Sequence, residues 1–115
     1  MAAETVQNLV IGYGTAKLIA WGLGSRGQRT VVVERSMIGG SCPNVACLPS
    51  KNVIYSAKAV ALVDRKHGLG VTTGEVKADM AGVVRRKRQM VEKLIEIHNA
   101  KSHAAGLELV MGEAR

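Results

Sequence analysis

Residues 8–35 restrict the possible folds more than any other stretch. "NLVIG", 8–12, is a short apolar run ending in glycine, the pattern of a buried strand entering a tight turn. "YGTAKLIAWGLGSRGQ" follows, with Ala16, Leu18, Ile19 and Leu23 at helical spacing and Gly27 as the stop. "RTVVVER", 29–35, is β-branched and almost wholly apolar, which suits a central parallel strand covered on both faces. Strand, glycine turn, helix and strand predict a right-handed crossover between parallel strands. The class is α/β.

The remainder fits that class. "SKNVIYSAKAVALVDRKHG" has helical periodicity through Val53, Ile54, Ala57, Val60, Ala61, Leu62 and Val63 and stops at Gly68. "LGVTTGEVKA" is a turn-rich connector with room for a short strand at 69–72. Asp79 is placed to cap a long helix over 80–104 whose apolar stripe is Met80, Val83, Val84, Val91, Leu94 and Ile95. Arg85, Arg86 and Arg88 fall largely off that stripe and read as a solvated face. "GLELVMGEAR" begins a further strand.

Composition narrows the function classes. The 115 residues carry a net charge of +7 but contain no Phe, one Trp and two Tyr, so there is little aromatic surface on which to stack bases. Much of the excess charge is local, in "RRKR" at 85–88, and no nucleic-acid motif surrounds it. An anionic cofactor gains from the same field. "MAAETVQNLV" does not resemble a secretory signal, and no apolar run is long enough to span a bilayer. The expectation is a cytoplasmic protein with neither nucleic-acid nor membrane partner.

"GYG" at 12–14 sits where a dinucleotide-binding turn belongs. The first glycine permits the tight turn and the second lets the backbone approach a pyrophosphate at the helix N-terminus. Glu34 ends the next strand 22 residues after Gly12, where a carboxylate accepts hydrogen bonds from ribose hydroxyls. One position departs from G-x-G-x-x-G: the third glycine is Lys17. Either Lys17 obstructs the helix–strand contact, or the turn is one residue shorter and Ala16 serves instead. Both alternatives predict displaced phosphate-binding amides.

The only cysteines, Cys42 and Cys47, lie in "GGSCPNVACLPSK", 39–51. Their spacing is not C-x-x-C, and His67, His98 and His103 lack zinc-ligand spacing, so no metal site is expected. Two unrelated buried thiols are the ordinary alternative in a cytosolic protein. Against that, the flanking residues put one cysteine in a turn and the other at a helix start, with Pro49 tolerable in the first helical turn and Lys51 nearby. A helix N-terminus and a cation both favour thiolate, which suits a dithiol to exchange chemistry.

This segment resembles the redox-active motif GG-[ST]-C-x-N-x-x-C-x-P-S-K of the class I pyridine nucleotide–disulfide oxidoreductases. That family includes dihydrolipoamide dehydrogenase, mercuric reductase and glutathione reductase. The likeness runs over essentially all of residues 8–115, through "VIGYGTA", "VVVER" and the long helix followed by "GEAR". It implies a partial Rossmann-like (doubly wound) FAD-binding domain with parallel strands and long helices. It also implies that Cys42 and Cys47 form a redox-active disulfide. Cys42 would be the interchange thiol that meets substrate, and Cys47 the flavin-proximal thiol in charge-transfer contact with FAD. Lys51 would lie near the isoalloxazine ring, and Glu34, with Arg35 beside it, would hold the adenosine ribose. Gly12, Gly14, Thr15, Ala16, Gly39, Gly40 and Ser41 would line the phosphates.

Electrons would pass from NAD(P)H to FAD, then to the cysteine pair, and on to a small-molecule disulfide or mercuric ion, or in reverse. Members of the family are homodimers about four times as long. Residues 1–115 are therefore expected to be the N-terminal part of an FAD-binding domain, lacking the NAD(P)-binding and dimerisation domains and inactive alone. A flavin-free dithiol module or an inactive truncated fragment is the alternative.

Overall fold

A computed structural model of the chain describes residues 3–65 and 68–115. Three parallel strands form one sheet in the order β1 (Asn8–Ile11), β2 (Thr30–Glu34), β3 (Glu108–Met111). Register pairs Val10 with Val32, and Val32 with Leu109. Helix α1 (Lys17–Gly24) carries the chain from β1 to β2. The return from β2 to β3 runs through α2 (Ser41–Asn44), α3 (Cys47–Asp64) and α4 (Met80–Ala104). This is the expected α/β class.

The β-branched run "TVVVE" forms the middle strand, and Val32 is fully buried there. Tyr13 and Ala20 join it to make the core, with Val10, Trp21, Ile38, Leu107 and Leu109 packed around them. The side chains of Leu9, Ile11 and Val110, which alternate to the other side of the sheet, are largely exposed. The sheet is thus covered on one face only, not on both as the apolar β2 run predicts. Helices α3 and α4 pair along their length and extend the molecule to 70 × 26 × 18 Å.

Several local expectations need correction. Helix α3 starts at Cys47, as the flanking residues indicate, but ends at Asp64, short of Gly68. Residues 69–72 form turn and coil with no strand. Asp79 precedes α4 as expected, but its carboxylate makes no capping hydrogen bond and instead faces Arg85 at 3.6 Å. Met80, assigned to the apolar stripe, is 60% exposed at the start of α4. Arg86 is not merely solvated. Its guanidinium donates to the Asn52 carbonyl (2.5 Å), Asn52 Oδ1 (3.2 Å) and Ser56 Oγ (2.7 Å), and lies over the Tyr55 ring, fastening α4 to α3.

Candidate active site

The site is built where the sheet's C-terminal edge meets two helix starts. At the end of β1 the Gly12 amide donates to the Val33 carbonyl at 2.7 Å, and the chain turns into α1. Three i→i+3 bonds tighten the entry: Lys17 to Gly14, Leu18 to Thr15, Ile19 to Ala16. Ala16 is the N-cap and Ala20, one turn on, is fully buried against the sheet. Lys17 does not obstruct the helix–strand contact, because its side chain runs the other way, to the carbonyls of Gly14 (3.0 Å) and Gly39 (3.1 Å).

Glu34 is 9% exposed, and its carboxylate is fully engaged by backbone. Oε2 accepts the Tyr13 amide at 2.7 Å; Oε1 accepts those of Ser36 (2.8 Å) and Met37 (2.9 Å). Burial pushes the carboxyl up, but the amides of Ser36, Met37, Tyr13 and Arg35 together outweigh it, so the group titrates below the usual range. Glu34 and Arg35 line a cavity of about 270 Å³ with Ile11, Gly12, Val33 and Gly112–Ala114, at the C-terminal ends of all three strands. Residues 39–51 contribute nothing to it.

The cysteine segment lies on the glycine turn itself. A Cβ on Gly40 would stand 2.7 Å from Gly14 Cα, so the two backbones touch. Ser41 then opens α2, a four-residue helix absent from the sequence reading, which carries Cys42. Asn44 holds the loop before it, donating from Nδ2 to the carbonyls of Ile38 (2.8 Å) and Gly40 (2.7 Å). Val45 and Ala46 return their amides to the Ser41 carbonyl, and Cys47 opens α3. Both cysteines are exposed, which overturns the reading as two buried thiols.

The Cys47 side chain is the strongest influence on the Cys42 thiol. That influence, then desolvation and the charge of Cys47, push Cys42 above the ordinary thiol range; Lys51 and the Cys47 backbone pull it down by less. The Lys51 field anticipated from sequence is present, but it is outweighed at Cys42.

One group was missed altogether. Tyr13, between the two glycines, turns its ring inward and is fully buried. Its hydroxyl donates to the His98 carbonyl at 3.0 Å and also hydrogen-bonds Ser102 Oγ, which accepts from Trp21 Nε1 at 3.1 Å. Trp21 and His98 stack with centroids 5.7 Å apart, and Tyr13 meets both edge-on. This cluster ties the turn and α1 to α4, which in turn backs the cysteine segment: a Cβ on Gly39 would meet Pro43 at 2.9 Å and His98 Nδ1 at 3.1 Å. No periodicity reports such a contact, because Tyr13 and Ser102 are 89 residues apart.

His67 lies outside the described residues, and among those described no three metal-ligating side chains gather. A larger apolar groove, about 650 Å³, opens between α3 and α4, but it includes neither the cysteines nor the glycine turn. Among the described residues no helix is long and apolar enough to cross a membrane.

The residues present fit a bound dinucleotide. The amides of Gly14, Thr15 and Ala16 have no hydrogen-bond partner among the described residues and lie at the start of α1. The strand-end cavity beside Glu34 offers a place for the nucleoside. The chain thus combines a parallel βαβ unit and its glycine turn with a buried carboxylate ending the second strand and an exposed dithiol at a helix start.

Comparison with known proteins identifies the family: the chain belongs to the class I pyridine nucleotide–disulfide oxidoreductases. It is 31% identical over 108 residues to a dihydrolipoyl dehydrogenase of Mycoplasma genitalium, covering 92% of this chain and 24% of that protein. Against a mercuric reductase of Staphylococcus aureus the figures are 30% over 112 residues, covering 92% and 20%. The fold matches that of the HOCl-induced flavoprotein disulfide reductase RclA from Escherichia coli with a TM-score of 0.79 at 24% identity, over 98% of this chain and 23% of that one. No family profile matches the sequence. The chain spans about a quarter of the length of the curated relatives it matches.

Proposed function

We propose that residues 1–115 are the FAD-binding, dithiol-bearing part of an oxidoreductase whose NAD(P)-binding and dimerisation domains lie outside them. One observation carries the reading: the segment bearing the exposed Cys42 and Cys47 adjoins the glycine turn through the Gly40–Gly14 contact. FAD, when bound, supplies a two-electron carrier between NAD(P)H and the cysteines. Gly12, Gly14, Thr15, Ala16, Gly39, Gly40 and Ser41 border its phosphates, and Glu34 and Arg35 its adenosine.

The Cys42–Cys47 disulfide takes up two electrons and two protons to give two thiols. Cys42, as thiolate, attacks a substrate disulfide, forms a mixed disulfide and expels one substrate thiol. Cys47 then attacks the Cys42 sulfur, expels the second thiol and restores the internal disulfide. Lys51 beside the pair favours the thiolate. Mercuric ion is the other substrate that the relatives suggest, and a thiol substrate runs the sequence backwards. The working protein is a cytoplasmic homodimer.

The test is stoichiometric. Apoprotein is titrated with FAD, followed by flavin fluorescence, and the cysteine pair is titrated with a dithiol and followed by mass. Saturable FAD uptake together with a reversible two-proton mass change on Cys42 and Cys47 is expected. Reversible dithiol chemistry without FAD uptake would mark a flavin-free module instead. With NAD(P)H supplied, residues 1–115 alone are expected to show no turnover.

A further inference from the structure

We infer that Lys17, where a glycine is expected, is a phosphate-binding residue: its ammonium takes the negative charge of the dinucleotide's diphosphate. The inference rests on the FAD reading above. Lys17 Nζ is held by two neutral acceptors, the carbonyls of Gly14 and Gly39, one from each of the segments that border the proposed phosphate site. An ammonium has three N–H donors, so one remains. No carboxylate among the described residues lies within ion-pair distance of it.

This cation stands in the first turn of α1, where the helix dipole is positive and a positive side chain is unfavourable. Three unpartnered amides, those of Gly14, Thr15 and Ala16, share the same helix entry. The half-buried cation and the positive end of the helix repel one another. A single dianionic group relieves both at once. A diphosphate has that charge, with several oxygens to accept from the amides and from Nζ together. The glycine of the ordinary turn has no side chain to contribute charge; here a lysine stands in its place.

The experiment separates charge from tethering. Lys17→Gln keeps a side-chain N–H donor for the carbonyls of Gly14 and Gly39 but removes the charge, and Lys17→Arg keeps the charge. Each full chain is titrated as apoprotein with FAD and with riboflavin, which has the ring without phosphates, at low and moderate salt. The thermal midpoint of each apoprotein is recorded in parallel. Lys17→Gln is expected to weaken FAD by about tenfold or more, the scale of one charge-assisted contact, and to flatten the salt dependence. Riboflavin binding and the thermal midpoint should stay near those of the parent, and Lys17→Arg should stay within a few-fold for FAD.

Equal FAD affinity in Lys17→Gln and the parent would overturn the inference while leaving the FAD reading intact. Parallel loss of FAD and riboflavin binding, or a fall in the thermal midpoint that accounts for the loss, would assign Lys17 to the fold alone and overturn it too. A parent chain that takes up neither ligand would remove the FAD reading and this inference with it.

Discussion

Replacing Gly40 by alanine should separate the cysteine segment from the dinucleotide turn. Two costs add at this position. The first is the backbone: Gly40 sits at φ 83°, ψ −177°, a region open essentially to glycine alone, where another residue costs about 1–3 kcal/mol. The second is overlap. The new Cβ would stand 2.7 Å from Gly14 Cα and 3.4 Å from the Tyr13 carbonyl oxygen, both main-chain atoms that cannot rotate aside. Forcing a methyl into packed surroundings costs about 1–3 kcal/mol more.

Gly12 provides the control. It has a similar φ of 88°, but a Cβ there meets nothing within 4 Å, so Gly12→Ala carries the backbone cost without the overlap. Urea unfolding of both variants, with slopes compared to confirm the same transition, reads the difference. Gly40→Ala is expected to lose more stability than Gly12→Ala by about 1 kcal/mol or more, and to lose FAD affinity as Gly40 is driven off Gly14. Equal losses would refute the close packing of residues 39–42 on the turn, and with it the geometry that joins dithiol to dinucleotide.

Glu34 gives a pH signature. Its folded carboxyl titrates below the unfolded value, so its contribution is present above about pH 4.3 and is lost as pH falls through the folded value. Glu34→Gln should be less stable at neutral pH and show a shallower acid loss in a urea series from pH 7 to pH 3; an unchanged slope would count against the three-amide cradle. Because the Cys47 side chain is the chief cause of the raised Cys42 titration, Cys47→Ala should make Cys42 react faster with iodoacetamide at pH 8, read by mass, and Lys51→Met should slow it. No change in either variant would refute the coupling. Tyr13→Phe leaves the buried Ser102 hydroxyl and the His98 carbonyl each short of a partner, and should cost about 1–3 kcal/mol in the same urea assay. A loss within error would show that the phenol does not anchor the turn to α4. In a protein holding FAD, Cys47→Ser should abolish the long-wavelength absorbance of a thiolate beside the flavin while Cys42→Ser retains it; equal loss in both would refute the assignment of the two thiols.

Local chemistry was legible along the chain. The apolar "TVVVE" run could be recognised as a strand buried in a parallel sheet, because such strands need no polar alternation. The "GYG" turn and the limits of α4 at 80–104 followed from glycine geometry and helical periodicity, which are properties of neighbouring residues. The cysteine motif gave the family, since its residue types and spacing are long and specific. Its α2 turn was not legible: four residues are too few to show a period, and Asn44 stabilises them through carbonyls of a preceding loop.

What tertiary structure decided were the contacts between distant segments. Whether Lys17 blocked the helix–strand contact depended on where its side chain could find acceptors, and one of those, Gly39, is 22 residues away. Whether Arg86 was solvated depended on the α3 face that happened to lie opposite it. Tyr13 reads in sequence as an arbitrary residue between two glycines, yet it is buried at the meeting of turn, α1 and α4. Periodicity records which side of an element avoids water, but which partner supplies the cover, and which polar atoms it brings, is set only when the chain closes on itself.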